Sequence, residues 1–175
     1  MNGTVARLSL VAVSSLLVNG CGTAYVEPAG GAPVTFRNAT PVHLLLMSFA
    51  GPTKCTDPQG IGGFAPAAEK TVRFQEGKVA TFSAQILSAS STATGLTSTS
   101  CIHIGSFVPQ PGASYTATIT ATSDRCFLSI SKKNSIAQIE QERGYVQRKY
   151  ITPLVASEGF CSSLSEDEKK TLQLP

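Results

Sequence analysis

The residues with the clearest chemistry in this 175-residue chain are its five cysteines. Four of them are far apart and lack the Cys-x-x-Cys spacing of many metal and redox sites. They are Cys55, Cys101, Cys126 and Cys161. In an oxidising compartment these four predict two disulfides, with three possible pairings. We expect Cys55–Cys101 and Cys126–Cys161, although the sequence alone does not settle the pairing.

Other candidates for catalysis or metal binding are weaker. The two histidines, His43 and His103, both fall in predicted strands, where a histidine is usually packed or solvated. No Gly-x-Ser-x-Gly motif marks a nucleophilic serine, and the glycines of residues 60–63 lack the lysine of a phosphate-binding loop. The sequence therefore predicts no catalytic residue, no cofactor and no metal site.

The fifth cysteine, Cys21, follows a segment with the features of a secretory signal. Arg7 is the only charged side chain before it, and residues 8–18 are an apolar run. A membrane-spanning helix needs about 20 apolar residues, so this run is too short to be one. Residues 1–20 are therefore predicted to be a signal peptide.

The four residues 18–21, Val-Asn-Gly-Cys, resemble the lipobox of bacterial lipoproteins. Val18 matches the aliphatic position of that motif, and Gly20 matches its small residue directly before the cysteine. The resemblance implies that Cys21 is acylated, becomes the first residue of the mature protein and anchors it to a membrane. Gly22, where an aspartate would imply retention at the inner membrane, implies an outer-membrane location facing the periplasm.

Composition limits the remaining functions. Removal of residues 1–20 leaves 155 of the 175 residues, the size of one domain. Because Arg7 leaves with them, 13 basic and 11 acidic residues remain, a net charge of +2. This charge is too small and too dispersed to predict nucleic-acid binding. The chain also has no tryptophan, which argues against a carbohydrate site.

Most of the mature chain alternates apolar and polar residues in short segments, as β-strands do. Strands are predicted at 34–38, 42–49, 71–75, 79–87, 101–108, 114–122, 126–131 and 146–151. The most apolar segment, 42–49, is expected to be a central strand buried on both faces. Glu76 and Gly77 predict a hairpin turn between 71–75 and 79–87.

The remaining segments are predicted to be loops, a tether and short helices. Residues 21–33 are rich in Gly, Ala and Pro, which is typical of a flexible tether. Residues 51–67 and the hydroxyl-rich 88–100 are expected to be surface loops. Residues 136–146 are either a short helix or an excursion into the last strand. In the tail, 162–175, a capping box of Ser165 and Glu168 predicts a short helix.

These segments predict an all-β fold, an immunoglobulin-like or transthyretin-like β-sandwich of seven to eight strands with a short C-terminal helix. The sandwich is expected to span residues 34–161. Residues 71–83 and 107–115, together with Cys101 and Cys126, resemble a pattern in small uncharacterised proteobacterial lipoproteins. That resemblance implies a fold and a location, but no activity.

Three functions are compatible with these features. The main hypothesis is a non-catalytic, lipid-anchored envelope lipoprotein whose β-sandwich binds another envelope component or supports an assembly. The first alternative is a protein that binds a small ligand or a metal with the loops 51–67 and 88–100. The second is a hydrolase, which requires the fold to assemble a nucleophile, a base and an orienting group.

Overall fold

The structure is a computed structural model that describes residues 23–92, 95–122, 125–134, 136 and 138–174. For residues 87–92, 95–100 and 156 the description covers the backbone alone. The predicted signal peptide, 1–20, and the predicted acylation site, Cys21, lie outside the described residues.

The described chain is built almost entirely from β-strands. They are β1 (Thr23–Ala24), β2 (Ala32–Asn38), β3 (Leu44–Gly51), β4 (Thr56–Phe64), β5 (Glu69–Phe74), β6 (Ala80–Thr92), β7 (Gly95–Phe107), β8 (Ser114–Ala121), β9 (Cys126–Lys133), β10 (Ile139–Gln141) and β11 (Val146–Arg148). A 3₁₀ turn (Ala156–Glu158) and one helix, α1 (Glu166–Thr171), follow. Three of these strands, β1, β10 and β11, have only two or three residues. The remaining long strands correspond in number to the seven or eight predicted.

Two sheets pack face to face and confirm the predicted all-β sandwich. Sheet A has the strand order β1-β4-β3-β6-β7-β11, and sheet B has the order β10-β9-β8-β2-β5. Neighbouring strands are antiparallel except for β1–β4 and β2–β8. Consecutive strands pair in β3–β4, β6–β7, β8–β9 and β9–β10. Consecutive strands therefore account for four of the nine strand pairings in the described sheets, and the other five join strands more distant in sequence.

The core between the sheets follows the alternation of the sequence. In β2, Val34 and Phe36 point inward while Thr35 and Arg37 point outward, as predicted. A connected group of aromatic rings fills the centre of the core, with ring centroids 4.9 to 6.4 Å apart. The group consists of Phe36, Phe74, Phe82, Phe107 and Tyr115. Such tilted and edge-to-face contacts stabilise a core beyond the area that they bury.

The predicted hairpin between residues 71–75 and 79–87 is wrong. β5 pairs with β2 in sheet B, whereas β6 lies between β3 and β7 in sheet A. The turn at Glu76 and Gly77 therefore carries the chain from one sheet to the other. Each strand has one apolar face, and that pattern is the same whether two strands pair side by side or face each other across the core.

Both predicted surface loops contain strands. Within 51–67 the glycine-rich β4 forms, because it pairs with β3 along nearly its whole length despite its poor strand propensity. Within 88–100 the backbones of β6 and β7 remain paired from Leu87–Ser100 to Thr92–Gly95. The register of β6 with β3 ends at Ile86. Residues 87–92 and 95–100 thus form a two-stranded arm that extends past the end of β3.

The predicted tether is also wrong from Thr23 onward. Thr23 and Ala24 pair with Gln59 and Gly60 at the edge of sheet A. The Tyr25 ring packs against Phe74 with centroids 5.4 Å apart, and its hydroxyl donates to a backbone carbonyl of β5. One aromatic side chain thus fixes a segment whose composition is typical of a flexible linker.

Two smaller predictions change and one is confirmed. Leu45 and Met47 are part-exposed, so β3 is not buried on both faces. In 136–146 the short strand β10 takes the place of a helix. The terminal helix forms as predicted: Ser165 caps it, accepting from the Glu168 N–H, while the Glu168 carboxylate accepts from the Ser165 N–H.

We expect the aromatic core to dominate stability. Phe82→Ala should lower the free energy of unfolding by about 3–5 kcal/mol, because it removes a fully buried ring and leaves a cavity. The control Phe127→Ala removes a half-exposed ring on the outer face of sheet B and should cost less than about 1 kcal/mol. Urea unfolding of both variants measures the difference, and equal losses would contradict the assignment of the core.

Candidate functional site

The four described cysteines form two disulfides, Cys55–Cys161 and Cys101–Cys126, with Cα–Cα distances of 5.5 and 6.1 Å. Two disulfides were predicted, but the expected pairing Cys55–Cys101 and Cys126–Cys161 is wrong. Cys101 and Cys126 pack at the core between the sheets, whereas Cys55 and Cys161 belong to a separate cluster on the outer face of sheet A. A Cys55–Cys101 bond would have to cross the sheet.

That outer cluster is covered by a segment that we call the strap, residues 149–161. The strap leaves β11 at one edge of sheet A and crosses the sheet so that its 3₁₀ turn lies against β4. Phe160 packs on Phe49, with ring centroids 6.0 Å apart. Gly159 meets the backbone of Lys54 so closely that a Cβ would overlap the Lys54 carbonyl oxygen. The strap is therefore a fitted cover rather than a loose loop.

Arg148 holds the start of the strap to the β3–β4 turn. Its side chain is only 2% exposed and donates to the carbonyls of Pro52 (3.1 Å) and Thr53 (2.7 Å). It also donates to the Ser106 hydroxyl and to the Ser162 carbonyl. Burial lowers the pKa of Arg148, and Glu168 acts in the opposite direction. An arginine keeps its proton in proteins, so this is a buried cation solvated by neutral oxygens.

The tip of the strap exposes apolar side chains. Leu154 is 94% exposed and Val155 56%, and Ile151 is part-exposed. We call these three residues the strap tip. The turn that carries them is ordered by its own hydrogen bonds: the Leu154 N–H donates to the Glu158 carboxylate, and the Glu158 N–H donates to the Val155 carbonyl. The apolar residues are thus presented by a formed turn.

A small groove lies beside the strap on sheet A. Its volume is about 110 Å³, and it is mainly apolar. It is lined by Met47, Phe49, Ser83, Gln85, Ile102, Ile104, Tyr150 and Phe160. This space is below the several hundred Å³ of most small-molecule sites, so we regard it as a packing gap next to the strap.

A larger cavity of about 500 Å³ lies between β9, β10 and α1. Glu142, which is 8% exposed, lines it and accepts from the Gly144 N–H at 2.6 Å through Oε1. Its Oε2 is buried without a hydrogen-bond partner among the described residues. Lys132, also on the lining, pairs with Glu140 at 3.2 Å. One oxygen of a carboxylate on the cavity lining is therefore buried and unsatisfied within the described residues.

The two histidines differ in their exposure to solvent. His43 precedes β3 and is exposed, whereas His103 is buried on the core side of β7. His103 Nε2 lies 2.6 Å from the Tyr145 hydroxyl, and Gly105 leaves the room that the Tyr145 ring occupies. Burial lowers the pKa of His103 and raises that of Tyr145, so both stay neutral at pH 7. In the described ranges no carboxylate bonds to either histidine, so no Ser-His-Asp arrangement is assembled there.

The described residues contain no group of three or more His, Cys, Asp or Glu placed to hold a metal ion. In the same residues no helix has the length and hydrophobicity required to span a membrane. Compared with known proteins, the chain matches no protein-family model, no curated protein and no solved structure.

The residues that sequence reasoning missed are Arg148, Glu142 and the strap tip. Arg148 and Glu142 belong to a polar stretch, where charged side chains are normally solvated. The predicted edge strand ended at Ile151, and nothing was predicted for residues 152–155. Only the pairing of β11 with β7 reveals that the chain then turns across the sheet.

We expect Arg148→Lys to lower the free energy of unfolding by about 2–3 kcal/mol, because one ammonium group cannot satisfy four acceptors around a guanidinium. The matched control is Arg143→Lys, an exposed arginine in the same segment, which should change stability by less than about 0.5 kcal/mol. Urea unfolding of the oxidised proteins measures both. Equal stability of the two variants would show that Arg148 does not hold the strap.

Proposed function

We propose that this chain is an exported, lipid-anchored protein whose β-sandwich acts as a non-catalytic binding module at a membrane surface. One observation carries the proposal. Four of the five cysteines pair in two disulfides, which leaves Cys21, in its lipobox-like context, as the single remaining thiol. Two disulfides in one domain are typical of an oxidising compartment such as the bacterial periplasm.

The fold supports a role in which the domain stays close to its anchor. Thr23 is already in β1, so at most a short link separates an acylated Cys21 from the sheet. In the proposed arrangement the sandwich is held directly at the membrane, in place of a domain raised on a long tether. A binding module in that position meets partners that are themselves bound to the envelope.

The two-stranded arm is the surface that we propose for a protein partner in the envelope. Beyond Ile86 the backbones of β6 and β7 pair with each other, and the pairing with β3 has ended. In the arm, the edge of β6 that faced β3 therefore carries backbone N–H and C=O groups that no longer pair with β3. Such edges bind an extended segment of another protein by adding a strand.

The anchor is tested by labelling cells with radioactive palmitate. We expect the wild-type chain to be labelled and to sediment with membranes, and Cys21→Ser to lose the label and leave the membrane fraction. The matched control is the double variant Cys101→Ser/Cys126→Ser, which removes the disulfide between the sheets. It should keep the label although it is less stable. Labelling of Cys21→Ser, or none of the wild type, would overturn the proposal.

A second candidate function is the binding of a small cationic ligand in the cavity at Glu142. The observation that favours it is that Glu142 lines a cavity of about 500 Å³ while its Oε2 atom is buried with no hydrogen-bond partner in the described protein. A buried carboxylate oxygen without a donor costs free energy, which an ammonium or guanidinium group would recover. Cavities of this volume accommodate molecules the size of a typical metabolite.

This function is tested by isothermal calorimetry with a panel of primary amines and guanidines, including putrescine, lysine and arginine. We expect at least one to bind, and Glu142→Gln to weaken its affinity about tenfold or more through loss of the charge. Glu69→Gln, which removes a surface carboxylate paired with Arg37, should leave the affinity unchanged. No binding to the wild type, or equal weakening in both variants, would eliminate this candidate.

A further inference from the structure

The strap tip is an apolar surface exposed to solvent. Leu154 and Val155 are the most exposed large apolar pair adjacent in sequence in the described chain. They lie on a turn that hydrogen bonds to Glu158 hold in shape, and that turn is attached to sheet A by a disulfide at Cys161. Because the turn is already ordered, little conformational entropy is lost when these side chains insert into another apolar environment.

The 3₁₀ turn next to the strap tip and β1, the first described strand after the predicted anchor, both adjoin β4. The 3₁₀ turn that follows Val155 lies against β4. β4 also pairs with β1, where Thr23 lies opposite Gln59. Cys21 is two residues before Thr23, so covalent geometry keeps the two Cα atoms within about 7 Å of each other. An acylated Cys21 and the strap tip would therefore meet the same region of a bilayer.

The charges around the strap tip argue for insertion driven by apolar contact. Within the strap, residues 149–161, the charged side chains are one lysine, Lys149, and one glutamate, Glu158, and both are exposed. With no net charge, electrostatic attraction to anionic lipid contributes little. Tyr150 is part-exposed at the base of the tip, and tyrosine favours the boundary between apolar and aqueous phases.

We propose that the strap tip inserts into the lipid bilayer next to the acyl chains of Cys21 and so fixes the orientation of the sandwich on the membrane. This inference rests on the lipid anchor proposed above. Acyl chains alone hold a domain at the surface but allow it to rotate. A second apolar contact a short distance away removes that freedom. One face of the sandwich then stays turned to the membrane, and the two-stranded arm takes a fixed orientation.

The absence of tryptophan from the sequence allows a direct test. Leu154→Trp places a single indole at the strap tip, and its exposure in the folded protein means that urea unfolding should match the wild type. The full acylated chain is reconstituted in phosphatidylcholine–phosphatidylethanolamine vesicles with and without brominated acyl chains. We expect the emission to shift to the blue and the brominated lipid to quench most of it, at high salt as well as low.

The matched control is Phe127→Trp, which places the indole on the outer face of sheet B, away from the strap. Its emission should stay unshifted and unquenched. Lack of quenching at position 154 in a palmitate-labelled protein would overturn the insertion and leave the anchor intact, whereas loss of the palmitate label would overturn the anchor itself. A blue shift at position 154 in native envelopes but not in vesicles would assign the tip to a protein partner and overturn the proposal.

Discussion

The outer face of sheet A depends on the hydrogen bonds of one buried group, the guanidinium of Arg148. A buried cation is usually hydrogen-bonded to a carboxylate, because desolvation of the charge is expensive. Here backbone carbonyls of the β3–β4 turn and of Ser162, the residue directly after the strap, replace the water together with one hydroxyl. These oxygens converge only when the strap lies across sheet A, so the charge makes that single position of the strap favourable.

The strap also explains why the outer face of sheet A carries buried polar residues. Thr81, Ser83 and Ser106 are buried although they alternate with core residues and point away from the core. Thr81 and Ser106 bond to each other at 2.8 Å, and Ser106 also accepts from Arg148. A polar layer thus lies between the sheet and its cover and joins the guanidinium to the sheet. The Cys55–Cys161 disulfide closes the same cover at its far end.

The sequence contained enough to predict the layers but not their connections. Alternation in β2, β6 and β8 correctly assigned the core faces, and the capping box at Ser165 correctly placed the helix. Alternation cannot distinguish a hairpin partner from a strand across the core, which is why β5 and β6 were misassigned. The pairing of the cysteines depends on which side of sheet A each one faces. Arg148 and Glu142 were missed because burial of a charge is decided by distant parts of the chain.

The span of the outer disulfide has a consequence for how the protein is made. Its cysteines are separated by 106 residues, against 25 for the bridge between the sheets. Cys161 is also the last cysteine of the chain, so the inner bridge needs no part of the strap, whereas the outer bridge requires the strap to lie across sheet A. A molecule with the inner bridge alone would keep free thiols at Cys55 and Cys161 and an uncovered outer face of sheet A. The outer bridge would therefore distinguish the completed molecule from an incomplete one by its chemistry.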